Sequence, residues 1–225
     1  MSLILHIETA TKICSVCLSK EGQLIHVIEE YSEKYIHAEK LTVLIEQLMH
    51  DTNYNLKDLD AISIDKGPGS FTGLRIGVST AKGLCYSLQI PLLAVDSLTA
   101  LYFGYKKIKG AISENELVIP MIDARRMEVY TAAYNYLGEY HFKIDAKVID
   151  QSFFDSLSQF NKLHILGDGS YKIKANFNVL NLEIHEKISC SAEYQIPQSF
   201  SNFKKKIFEN VAYFEPYYLK DFKTN

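Results

Sequence analysis

The chain has 225 residues, 47% of them apolar, enough for a real core in one large domain or two smaller lobes. A net charge of −3 and a pI of about 6.2 deny it the basic field that a nucleic-acid surface needs. Four cysteines make no disulfide framework at this length. No signal peptide precedes the first strand and no apolar run reaches about 18 residues, so the expectation is a cytoplasmic protein without a membrane span.

In chain order, Leu3 to Glu8 reads as a buried strand with a carboxylate at its end, and Thr9-Ala10-Thr11-Lys12 as a turn. Ile13 to Ser19 and Leu24 to Glu30 are two further strands joined at Glu21-Gly22. Tyr31 to Tyr35 is a polar connection. From Ile36 to Met49 the period becomes helical, with Leu41, Leu44, Ile45 and Leu48 on one face. A loop with a turn of helix near Leu56 leads to a β-branched strand at 61–64.

The eleven residues Gly67-Pro68-Gly69-Ser70-Phe71-Thr72-Gly73-Leu74-Arg75-Ile76-Gly77 form a glycine-rich turn opening a helix that runs to about Leu88. Gly67 and Gly69 allow backbone angles closed to other residues, and Ser70 or Thr72 can cap the helix. Two readings stand: a well-capped strand-to-helix turn, or a cluster of amides able to hold an anion. The loop has no Walker lysine and is not GxGxxG. Along the helix, Gly73, Gly77 and Ala81 make a stripe nearly free of side chain, overlapping an apolar stripe that includes Leu74 and Val78. Such a stripe lets another backbone approach closely, from this chain or from a second one.

Leu92 to Val95 is a strand, and Ser97 can cap a helix to about Tyr105. The order β-β-β-α-β-α-β-α implies a mixed sheet covered by helices, as in an RNase H-like or actin-like lobe. The lobe boundary is expected at the polar stretch after Lys106, giving lobes 1–106 and 107–225. In the second lobe, Leu117 to Ile122, Glu128 to Tyr136, Tyr140 to Ile149 and His164 to Leu166 read as strands, and Phe153 to Phe160 as a short helix. Ser191 to Phe208 is helical in parts with Pro197 as a break, and the aromatic tail Glu215 to Lys220 is expected to dock back on the first lobe.

Cys14 and Cys17 are three apart on a strand, so they face opposite sides and cannot chelate together. No two of the seven histidines lie within five residues of each other, so the paired-histidine spacing of a zinc protease is absent and no metal or cofactor is expected. His37-Ala38-Glu39 opens a helix and is read as capping and solvation or as a ligand contact. Asp123 with Arg125 and Arg126 sits at a strand end, fit for a phosphate or for an ordinary ion pair. Gly167-Asp168-Gly169 is a turn or a second backbone approach to a nucleotide.

Leu5-His6-Ile7-Glu8-Thr9-Ala10-Thr11, His37-Ala38-Glu39, the eleven-residue glycine segment, Ala81-Lys82-Gly83-Leu84, Ile122-Asp123-Ala124-Arg125-Arg126 and Glu215-Pro216-Tyr217-Tyr218-Leu219 together resemble the TsaB (YeaZ) family across nearly the whole chain. The resemblance implies an α/β, two-lobed actin-like (ASKHA, RNase H-like) fold with mixed sheets and flanking helices. It also implies a non-catalytic subunit needed to make threonylcarbamoyladenosine in tRNAs reading ANN codons. The implied partners are the metal-bearing catalytic paralogue TsaD and the ATPase TsaE, with tRNA contacted indirectly and self-association through the same surface. On this basis His37, Leu41, Leu44, Ile45, Leu48, Gly73, Leu74, Gly77 and Ala81 are expected at the partner interface. A vestigial nucleotide cleft would use Glu8, Thr9, Thr11, Asp123, Arg125, Gly167 and Gly169. Glu8 departs from the aspartate usual in relatives. The alternative reading is an ASKHA ATPase or small-molecule kinase using that cleft. A metalloprotease would need a metal site that the spacing does not provide.

Overall fold

The computed structural model describes residues 2–33 and 36–220, and it holds two compact units. Of the polar connection expected over 31–35, Lys34 and Tyr35 lie outside the described residues. The first unit comprises the chain up to Ala100 together with Cys190–Tyr218, and the second Leu101–Ser189 with the chain from Leu219.

The first unit contains β1 (Leu3–Glu8), β2 (Ile13–Lys20), β3 (Gln23–Tyr31), α1 (His37–Thr52), β4 (Ala61–Asp65), α2 (Phe71–Leu88) and β5 (Leu92–Val95). Its sheet has the order β3-β2-β1-β4-β5. The meander β1–β3 is antiparallel, while β4 and β5 run parallel to β1 behind their crossover helices. Leu41, Leu44, Ile45 and Leu48 recur at helical spacing, so α1 buries that edge against Leu3, Leu5, Ile7 and Val16. Each such aliphatic side chain contributes roughly 1.5–3 kcal/mol by burial. Cys14 and Cys17 fall in different core clusters, on opposite faces of β2.

The other face of this sheet explains why the chain returns. Ile4, His6 and Glu8 alternate with the core residues of β1, and all three are buried. Their cover is a 3-10 turn at Ala192–Gln195 followed by helix α6 (Ile196–Lys204). Ile196 and Ala192 pack on Cys17, and Phe203 packs on Ile4, Ala61 and Leu93. Polar groups are matched across the layer. Gln195 donates from Nε2 to the Ile7 carbonyl (2.7 Å) and accepts from the Ser63 hydroxyl (2.7 Å). His6 lies 2.7 Å from Ser19 Oγ and 3.3 Å from Ser199 Oγ. Burial lowers its pKa to about 3, so it stays neutral. The division at residue 106 is therefore corrected: the boundary falls inside α3 (Ser97–Lys109), and residues 190–218 belong with the first sheet, whose second face they close.

The second unit repeats the plan. β6 (Glu116–Asp123), β7 (Glu128–Tyr134), β8 (Tyr140–Val148), β9 (Lys162–Leu166) and β10 (Leu182–His185) assemble in the order β10-β9-β6-β7-β8. As in the first sheet, three antiparallel strands are followed by two parallel ones. Beyond the end of α3, its helices are short: α4 (Gln151–Asp155) and α5 (Tyr171–Asn176). The helix expected over 153–160 thus begins at Gln151 and ends at Asp155, capped by Asp150, whose carboxylate accepts from the Phe153 amide (3.0 Å). Two further expectations change. Asp96, not Ser97, caps α3 by accepting from the Thr99 amide (2.7 Å). Pro197 opens α6 instead of breaking a helix, because a first-turn proline gives up an amide that has no helical partner anyway.

Gln195→Ala is expected to lower unfolding free energy by about 1–3 kcal/mol, because it strands the buried Ser63 hydroxyl and the Ile7 carbonyl; urea unfolding followed by circular dichroism measures it.

Candidate functional site

The turn from Asp65 into α2 meets the β1–β2 turn backbone to backbone. Ser70 N–H donates to the Ala10 carbonyl (2.7 Å), and the Ser70 hydroxyl caps α2 by accepting from Gly73 N–H (3.3 Å). Gly67 N–H is held by Asp65 Oδ1. These amides are committed within the chain, which favours the capped-turn reading over the anion site. A Cβ on Gly69 would stand 2.5 Å from the Ala10 carbonyl oxygen. One on Gly73 would stand 2.1 Å from the Thr9 carbonyl oxygen, and one on Gly77 2.3 Å from Thr9 Oγ1. No side chain fits at such separations. On its other side the turn carries the tail: Tyr217 N–H donates to the Lys66 carbonyl (2.7 Å), and the Tyr218 ring lies 4.9 Å from that of Phe71. Arg75 sits over the Phe71 ring at 4.0 Å and donates to the Tyr218 hydroxyl (3.3 Å).

The interface set therefore needs correction. His37, Leu41, Leu44, Ile45 and Leu48 of α1, and Gly73, Leu74, Gly77 and Ala81 of α2, are all buried by their own chain. The bare stripe is filled by Thr9 of the β1–β2 turn. His37 points inward, its Nε2 3.2 Å from the Ile13 carbonyl, and burial lowers its pKa. The exposed residues of the two helices are different ones: Val43 of α1 is 51% and Tyr86 of α2 75% accessible. Three residues before Tyr86 on α2, a methyl built on Gly83 meets nothing within 4 Å.

The expected cleft residues divide between the two units. Glu8 is 0% accessible, as is Asp65, next to it on the same face of the sheet. Glu8 Oε1 accepts from Ala10 N–H (2.8 Å), and Asp65 Oδ1 lies 2.7 Å from the Ser97 hydroxyl. Glu8 Oε2 and Asp65 Oδ2 receive no donor from any other described group. A proton shared between the carboxyls satisfies both, with Glu8 donating to Asp65. Burial first, then the Asp65 charge and this hydrogen bond, raise Glu8 well above the ordinary carboxylate range. Burial raises Asp65 as well. Thr9 and Thr11 are buried as well.

In the second unit, Asp123 accepts from Arg125 N–H (2.7 Å) and pairs with Lys172, a buried lysine of α5 that also donates to the Glu128 carbonyl (2.7 Å). Arg125 and Arg126 are exposed and lie in the left-handed region at φ 67° and 50°, forming the tight β6–β7 turn. Lys172, not an arginine, is thus the partner of Asp123, and it went unnoticed because its short helix carries little periodicity. Gly167 (φ 90°) and Gly169 belong to a 3-10 turn packed on β6, where a Cβ at 167 would stand 2.3 Å from the Met121 carbonyl oxygen. Asp168 accepts from Asp123 N–H (3.0 Å). The Gly167-Asp168-Gly169 segment is a packing turn.

A family model described as TsaD, tRNA N6-adenosine threonylcarbamoyltransferase, matches residues 29–225. The tRNA threonylcarbamoyladenosine biosynthesis protein TsaB of Buchnera aphidicola subsp. Acyrthosiphon pisum is 30% identical over 212 residues, 91% of this chain and 91% of that protein. The chain belongs to the TsaB (YeaZ) family. TsaB of Bacillus subtilis is 38% identical over 133 residues, 59% of this chain and 55% of that protein. The chain spans about half the length of the first curated relatives it matches. YeaZ from Pseudomonas aeruginosa has a TM-score of 0.78 at 26% identity, covering 97% of this chain and 100% of that one. The duplicated sheet topology places this TsaB-family chain in the actin-like ASKHA class. Among its described residues no helix is long and apolar enough to cross a membrane.

The carboxyl pair has a pH signature. Between the ordinary Glu value of 4.5 and the raised native value, the folded chain keeps a proton that the unfolded chain releases. Stability therefore falls as pH rises through that interval, by at most about 1.4 kcal/mol per pH unit for one proton. Glu8→Gln, which mimics the protonated acid, is expected to leave stability nearly unchanged at pH 4 and raise it at pH 7; thermal unfolding across that range measures the difference.

Proposed function

We propose that this chain is a non-catalytic subunit of the machinery that makes threonylcarbamoyladenosine in tRNA. It pairs with the catalytic paralogue TsaD, TsaE joins the pair, and tRNA is engaged through the partners. The observation that carries this reading is the similarity to Buchnera TsaB along 91% of both chains. The net charge of −3 fits an indirect role toward tRNA. The full burial of Glu8 against Asp65, away from solvent, favours this reading over the ASKHA kinase or ATPase, which needs a carboxylate facing a metal-bound phosphate.

The docking surface proposed for TsaD, or for a second copy of this chain, is the exposed side of α1 and α2 around Val43, Gly83 and Tyr86. Gly83 there offers an opening for a partner helix to come close. Gly77 cannot serve as a probe, since any side chain on it strikes Thr9 within the monomer.

Gly83→Leu is expected to leave the circular dichroism and thermal midpoint of the isolated chain unchanged. It should weaken TsaD binding at least about tenfold, or about 1.4 kcal/mol, as read by calorimetry and co-elution. An unaltered complex would remove α2 from the interface. ATP turnover by the isolated chain that vanishes in Glu8→Ala would replace this reading with the kinase one.

A further inference from the structure

Parallel pairing of β9 and β10 sets Glu183 opposite His164, and His185 follows two residues on, so all three lie on one face at the sheet's edge. His164 Nδ1 and His185 Nε2 are 3.1 Å apart. Glu183 brings Oε2 to 3.8 Å from His164 Nδ1 and Oε1 to 3.6 Å from His185 Nε2. Taking one donor atom from each residue, all three lie within 4.8 Å of one another. Zinc bonds of about 2.0–2.1 Å in a tetrahedron hold their donors roughly 3.3–3.5 Å apart, so a small turn of the half-exposed Glu183 carboxylate closes the set to one face of a zinc site.

The surroundings fit as well. Glu116 of β6 lies 3.4 Å from His164 Nε2. An ionised carboxylate only accepts, so that nitrogen carries the proton and Nδ1 keeps its lone pair turned toward His185. This is the outer-shell carboxylate that orients a metal-binding imidazole. The Tyr105 ring packs on both histidines, at 5.1 and 5.2 Å, and fixes their planes. Both imidazoles are buried, and burial lowers their pKa, so both are neutral at pH 7 as ligands must be. Glu183 is 42% accessible and opens the site to solvent. Lys162 pairs with Glu183 Oε2 at 3.2 Å; its side chain is 45% accessible and free to turn outward when a cation arrives.

We propose that His164, His185 and Glu183 form a zinc-class metal site, with Glu116 as the positioning residue and water as fourth ligand, that clips edge strand β10 onto β9. It stands independently of the TsaD-docking role.

The test uses the full chain stripped with a chelator. Zinc titration by calorimetry is expected to show one equivalent bound with a Kd of about 1 μM or tighter. Cobalt(II) should give the visible absorption of a tetrahedral site. His185→Ala should abolish both signals, and Glu116→Gln should weaken binding about 10- to 100-fold. Zinc should raise the thermal midpoint of the parent chain only. If His185→Ala does not fold, Glu183→Gln, at a half-exposed position, serves as the ligand-loss variant. A parent chain with no saturable site, or zinc binding that survives the loss of a ligand, overturns the proposal.

Discussion

The Thr9 carbonyl lies where a side chain on residue 73 would begin, and the Thr9 hydroxyl lies where one on residue 77 would. That approach of the β1–β2 turn to α2 fixes how the helix sits on the sheet. It brings Ser70 within hydrogen-bond reach of Ala10 and sets α2 over the apolar side of β1 and β4, while Glu8 and Asp65 lie buried on the opposite face. Glycine costs a helix interior about 1 kcal/mol relative to alanine. Two of them here are offset by a close fit that no other residue allows.

Long, periodic elements were legible in the sequence. The three-strand meander, α1 and α2 carry strong apolar periods, and their type and order follow from those periods. The stripe on α2 was legible as a close approach, but its occupant was not. A pattern of small residues states that something comes near, not which segment supplies it, and here the segment is a turn some sixty residues earlier. The interface residues chosen from that pattern were core residues for the same reason: apolar periodicity reports burial, and it does not distinguish burial by the same chain from burial by a partner.

Parts of the second unit were hidden. β10 has four residues and α5 six, too few for a period to declare itself. With β10 unseen, His164 and His185 stayed 21 positions apart in sequence with nothing to join them. The Glu8–Asp65 pair escaped in a similar way. Each acid ends its own strand, and only the parallel pairing of β1 with β4 brings them together. Burial and mutual repulsion together favour the protonated form of such a pair.

The two sheets share one topology but are padded differently. In the first unit, helices of 16 and 18 residues lie over the strands. The corresponding helices of the second have 5 and 6 residues, and Phe142, Phe153, Phe154, Phe160 and Phe177 crowd its core instead. The halves are consequently vulnerable to opposite insults. Where backbone rests on backbone, the harmful change is an added methyl group; where bulky rings stand in for missing helix, it is a ring taken away.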